Sequence, residues 1–98
     1  MEINIEVFAS PGCGKCGHAR DVLRDLANDM NERAGGECIF WREVNILDEL
    51  DHAVELGVLS TPSIAIDGEL VFTSLPSSKS LRAELEQRLK QSGERALA

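Results

Sequence analysis

Cys13 and Cys16, with Gly14 and Lys15 between them, form the pair in this chain best suited to do chemistry. Two thiols at this spacing can close to a disulfide by losing two electrons and two protons, and can reopen by regaining them. On a helix, residues three apart share a face, so the two sulfurs can meet without backbone movement. A bridge over only two intervening residues removes little entropy from the unfolded chain, so stability is a weak reason to have one. Reversible thiol-disulfide exchange is the better reason. The pattern around the pair places it just after a strand, where a helix opens, and free N–H groups and the positive end of the helix dipole favour an anion there. Cys13 is therefore the expected nucleophile, and Lys15 adds a supporting positive charge screened by solvent.

The elements that must position this pair can be read from hydrophobic spacing. Apolar residues at 3, 5, 7 and 9 alternate with Asn4 and Glu6, the period of a strand, while Phe8 makes the second face partly apolar. Ser10-Pro11-Gly12 breaks that strand, and Ala19, Val22, Leu23, Leu26, Ala27 and Met30 resume at helical spacing. A helix is predicted from near Cys13 to just before Gly35-Gly36. Cys38 to Val44 is rich in β-formers and reads as a second strand, reached through the helix and so parallel to the first.

Leu47, Leu50, Ala53 and Val54 suggest a short second helix ended by Gly57. After the break at Ser60-Thr61-Pro62, two apolar runs, 63–66 and 69–73, flank Asp67-Gly68, a strong hairpin signal. A serine-rich start then leads into Leu81, Leu85 and Leu89, one stripe of a final helix, with a tail from Ser92 expected to fray. The order β-α-β-α-β-β-α implies an α/β fold: one domain over residues 1–98, with a core of about 3–90, in which helices cover both faces of a four-stranded mixed sheet.

Composition narrows the function further. Seventeen acidic against ten basic side chains give a net charge of -7, which disfavours nucleic acid as a partner. No apolar run approaches the ~20 residues of a membrane span, and the opening Glu2 to Glu6 lacks the features of a secretory signal, so a cytoplasmic protein is expected. Three cysteines are too few for the framework of a disulfide-rich secreted module. A metal site would need Cys38 or His18 beside Cys13 and Cys16, and the second C-x-x-C of a closed zinc site is missing. The plainer reading makes His18 a surface residue, Cys38 and Trp41 packing residues, and Asp48-Glu49-Asp51 the solvated face of the second helix.

Strand, Cys-Gly-Lys-Cys, helix, Leu56-Gly57-Val58 and Thr61-Pro62 before a hairpin resemble the thioredoxin and glutaredoxin superfamily, over about residues 3 to 90. The likeness is greatest to short, glutaredoxin-sized thioredoxin-like proteins of prokaryotes. It implies that Cys13 attacks a substrate disulfide, that Cys16 resolves the mixed disulfide, and that Pro62 forms a cis-proline loop against the pair. Thr61 would offer its backbone to an extended substrate, with Gly12 and Gly14 beside it. Gly12 stands where thioredoxins carry Trp, Val7 where they carry a buried acid, and Thr73 to Ser77 replace the Gly-Gly and acidic residue with which glutaredoxins hold glutathione. The implied protein is a monomeric thiol-disulfide oxidoreductase without a bound cofactor. Its partners would be proteins bearing disulfides, and a reductase or low-molecular-weight thiol as electron donor. A thioredoxin-like binding module or redox switch, one that docks a partner or shares a metal or iron-sulfur cluster between subunits, stands as the alternative.

Overall fold

A computed structural model describes residues 2–35 and 38–97. Seven elements follow the expected order: β1 (Ile3–Ala9), α1 (Cys16–Ala34), β2 (Ile39–Asn45), α2 (Leu50–Leu56), β3 (Ser63–Ile66), β4 (Glu69–Phe72) and α3 (Ser78–Leu97). The strands lie in the order β2-β1-β3-β4, with β1 and β2 parallel and the other pairings antiparallel. Asp67 and Gly68, both at positive φ, make the tight turn between β3 and β4 that Asp-Gly favours.

The sheet is covered on both faces. On one, Ile3, Ile5 and Val7 of β1 and Ile64 and Ile66 of β3 meet Ala19, Leu23, Leu26 and Met30 of α1 and Leu81 and Leu85 of α3. Burial of each large side chain there contributes about 1.5–3 kcal/mol. On the other, Phe8, Val44 and Ala65 pack with Ala53, the one buried residue of α2. Ile46, Leu56 and Val58 pack against this cluster half-buried, whereas Leu47, Leu50 and Val54 stay outside, 66%, 55% and 67% exposed. Polar groups add to the hold on α2. Glu6 of β1 lies 2.8 Å from His52 Nε2 and accepts a hydrogen bond from Arg42, whose guanidinium also donates to Glu49 just ahead of α2.

Two boundaries differ from expectation. α1 begins at Cys16 rather than near Cys13, for reasons taken up below. Cys38 precedes β2 instead of lying within it and is half-buried against the core. Its N–H is drawn off the strand ladder by Asn31 near the end of α1, whose Oδ1 accepts from both Cys38 and Ile39. α3 is helical through Leu97. Gly36 and Ala98 lie outside the described residues.

Candidate functional site

The topology brings the end of β1 beside the start of β3, because the two strands run antiparallel with Phe8 opposite Ser63. The loop after β1 carries Cys13, and the segment before β3 carries Thr61 and Pro62, so residues some fifty positions apart share one end of the sheet. The Thr61–Pro62 peptide bond is cis. Thr61 is half-buried, and neither its N–H nor its C=O makes a backbone hydrogen bond among the described residues.

Cys13 and Cys16 are joined as a disulfide with Cα atoms 5.6 Å apart. Their environments differ sharply. Cys16 is 5% exposed, whereas Cys13 is only half-buried and borders an open depression of about 510 Å³ together with Ser10, Gly12, Gly14, Lys15 and Thr61. Cys13 lies in the turns ahead of the helix and not on its first turn. Gly12, at φ 80°, takes a backbone conformation that side chains resist, and the Cys13 N–H bonds back to the Ser10 carbonyl. Lys15 is the N-cap of α1, and the first helical bond runs from Ala19 N–H to its carbonyl, 3.0 Å away. The N–H groups of Cys16, Gly17 and His18 therefore have no acceptor within the helix and point out of its N-terminal end, on the side of the disulfide.

The other sequence candidates fall outside this cluster. His18 is exposed, and Trp41 packs against the core beside α1. Val7 is fully buried among apolar side chains, while Glu6 faces α2 on the opposite side of the sheet. Among the described residues no group of three or more His, Cys, Asp or Glu side chains is gathered so as to hold a metal ion. No described helix is long and apolar enough to cross a membrane.

One residue of the site escaped sequence reasoning. Ser10 Oγ and Thr61 Oγ1 are 2.8 Å apart, a hydrogen bond that ties the Cys13 loop to the cis-proline loop. A serine after a strand signals only a turn, and nothing in its spacing points to a threonine 51 positions away.

Comparison with known proteins agrees with this arrangement. The sequence model of the Thioredoxin domain family matches residues 1–86. A thioredoxin of Methanocaldococcus jannaschii is 31% identical over 88 residues, covering 90% of this chain and 98% of the relative. A probable thioredoxin of Methanothermobacter thermautotrophicus is 32% identical over 81 residues, covering 83% and 89%. Among solved structures, a protein disulfide oxidoreductase from Aeropyrum pernix superposes with a TM-score of 0.73 at 26% identity, over 85% of this chain and 35% of that one. A point-mutant thioredoxin from Halobacterium salinarum gives 0.71 at 20% identity, over 88% and 74%, a likeness of fold alone. With the cysteine pair, the cis-proline loop and the family match all falling on the same domain, the chain belongs to the thioredoxin domain family and is a thiol-disulfide oxidoreductase.

Proposed function

We propose that this chain, acting as a single cytoplasmic domain, reduces disulfide bonds in other proteins through Cys13 as nucleophile and Cys16 as resolving thiol. The observation that carries the division of roles is the contrast in exposure between the two sulfurs' residues, half-buried Cys13 beside the depression and 5%-exposed Cys16 beneath it. A client can approach the first but not the second.

In the reduced protein the Cys13 thiolate, favoured by the helix N-terminus and by Lys15, attacks one sulfur of the client disulfide. A bond forms between Cys13 and that sulfur, the client bond breaks, and the departing client thiolate takes up a proton. Cys16 then loses its proton and attacks the Cys13 sulfur, closing the Cys13–Cys16 bridge and releasing the second client thiolate, which is protonated in turn. Two electrons and two protons pass to the client. A reductase or a low-molecular-weight thiol returns them. Thr61 supports this reading through its unengaged backbone groups, which can pair with an extended client segment beside Cys13. Gly12 and Gly14 let that segment come close, since no side chain rises from either.

Insulin reduction with dithiothreitol as electron source tests the proposal. The wild-type chain should be active, Cys13→Ser inactive, and Cys16→Ser should accumulate a mixed disulfide with the client at Cys13, visible by mass spectrometry. Accumulation at Cys16 in the Cys13→Ser protein, with none at Cys13 in Cys16→Ser, would reverse the roles.

A further inference from the structure

Beside the cysteine depression lies a second groove of about 260 Å³, lined by Leu50, Val54 and Leu59 and sharing Ser10 and Thr61 with the first. Leu50 and Val54 stand four residues apart on α2, one above the other, and Leu59 is 98% exposed. Leu47, two-thirds exposed, extends the same apolar strip into a shallow depression that also includes Asp48 and Asp51. Scattered exposed apolar residues need no explanation, but four on one short stretch, continuous with a reactive disulfide, mark a surface made to be covered. Exposed Asp48, Asp51 and Glu55 rim the strip, and among the described residues neither depression is lined by Lys or Arg.

We propose that this face of α2 selects clients: it receives the segment next to the client's disulfide cysteine, and it prefers segments that combine apolar with basic side chains. This rests on the exchange chemistry proposed above and adds its specificity. A client strand lying along Thr61 with its cysteine at Cys13 would continue over Ser10 into the groove, because both residues border both depressions. Its apolar side chains would cover Leu50, Val54 and Leu59. Lysine or arginine in the same segment would face the acidic rim, which contributes to encounter and selection more than to raw affinity.

The test uses the full chain and two synthetic peptide disulfides, one with Lys and Leu flanking the cysteine and one with Glu and Ser, alongside the small aromatic disulfide 5,5′-dithiobis(2-nitrobenzoate). The wild-type chain should favour the Lys-Leu peptide over the Glu-Ser peptide by about tenfold in kcat/KM, the scale of discrimination a small apolar pocket provides. In Leu50→Ser/Val54→Ser and in Leu59→Ser, the ratio of kcat/KM for the Lys-Leu peptide to that for the small disulfide should fall by a similar factor, mainly through KM. These side chains are exposed, so the variants should keep the wild-type circular dichroism. Equal rates on the two peptides, or an unchanged ratio in the variants, overturns the docking proposal while leaving the exchange chemistry intact. Failure of the wild-type chain to reduce any of the three disulfides overturns both. Sedimentation as a dimer that Leu50→Ser/Val54→Ser dissociates gives the face to a second copy and overturns the client assignment.

Discussion

The hydroxyls of Ser10 and Thr61, 2.8 Å apart, fasten the loop that carries Cys13 to the loop that carries Pro62. Both loops border the depression proposed for exchange, so this bond sets the distance between Cys13 and the backbone proposed to hold the client. Ser10→Ala and Thr61→Val each leave one hydroxyl or its space without a partner. Each should lower kcat/KM for a protein disulfide several-fold, and the double variant should do little worse than either alone. A double-mutant cycle should return a coupling of about 1 kcal/mol, the worth of one such hydrogen bond. Strict additivity would show that the two loops are positioned independently.

Asn31 performs a comparable task at the far end of the sheet. Its Oδ1 accepts from the N–H groups of Cys38 and Ile39 at 2.8 Å each, and its Nδ2 donates to the Ile39 carbonyl at 3.1 Å. One side chain thus joins the end of α1 to the start of β2. Asn31→Ala should lower the unfolding free energy by about 2–3 kcal/mol, since three partly buried backbone groups lose their partner. Asn31→Asp keeps the acceptor and should cost less. Urea denaturation measures both, and equal losses would show that the donor bond to Ile39 carries the effect.

Much of the fold was legible because local chemistry and global topology agree. The alternation of β1 and the Asp67-Gly68 turn hold with little dependence on the rest of the chain. The cysteine pair was legible from its spacing and its place between strand and helix, whereas the cis-proline loop was legible only through resemblance. The start of α1 was misplaced because hydrophobic periodicity begins at Ala19 and does not show where the first hydrogen bond closes; that depends on the turns at Gly12 and Gly14. Helical spacing in Leu50 and Val54 located α2 but not its orientation, and these side chains face outward because Ala53 makes the contact with the sheet. Contacts such as Ser10 with Thr61 and Glu6 with His52 bridge 51 and 46 positions and arise from how loops and α2 are placed against the sheet, which no local pattern encodes.

Acid should act through Asp29. The hydrogen bond from Arg82 of α3, with Arg33 adding its charge and opposed by partial desolvation, holds the Asp29 carboxyl below its ordinary 3.8. A carboxyl depressed in the folded state contributes stability that is complete above its unfolded value and is lost as pH falls through its folded one. The gap in urea midpoint between wild type and Asp29→Asn should therefore be constant above about pH 5 and close as pH drops below about 4. A gap that instead widens in acid would rule out this pairing as its source.

Gly12 and Gly14 flank Cys13 and should respond oppositely to the same substitution. A Cβ at either position would meet nothing within 4 Å, so neither change introduces a clash. Gly12 sits at φ 80°, in the left-handed region, where alanine costs roughly 1 kcal/mol. Gly14 is not at positive φ, and alanine there should be neutral or stabilise by about 0.4–1 kcal/mol, because it restricts the unfolded chain. Thermal unfolding of the oxidised proteins should thus rank Gly14→Ala at or above wild type and Gly12→Ala below it. Activity should follow a different order. If both glycines let the client backbone come close, Gly14→Ala should raise KM for a protein disulfide while leaving stability intact, and its rate on 5,5′-dithiobis(2-nitrobenzoate), which has no backbone to accommodate, should stay near wild type. An unchanged KM in Gly14→Ala would limit the role of glycine at this site to the turn at Gly12.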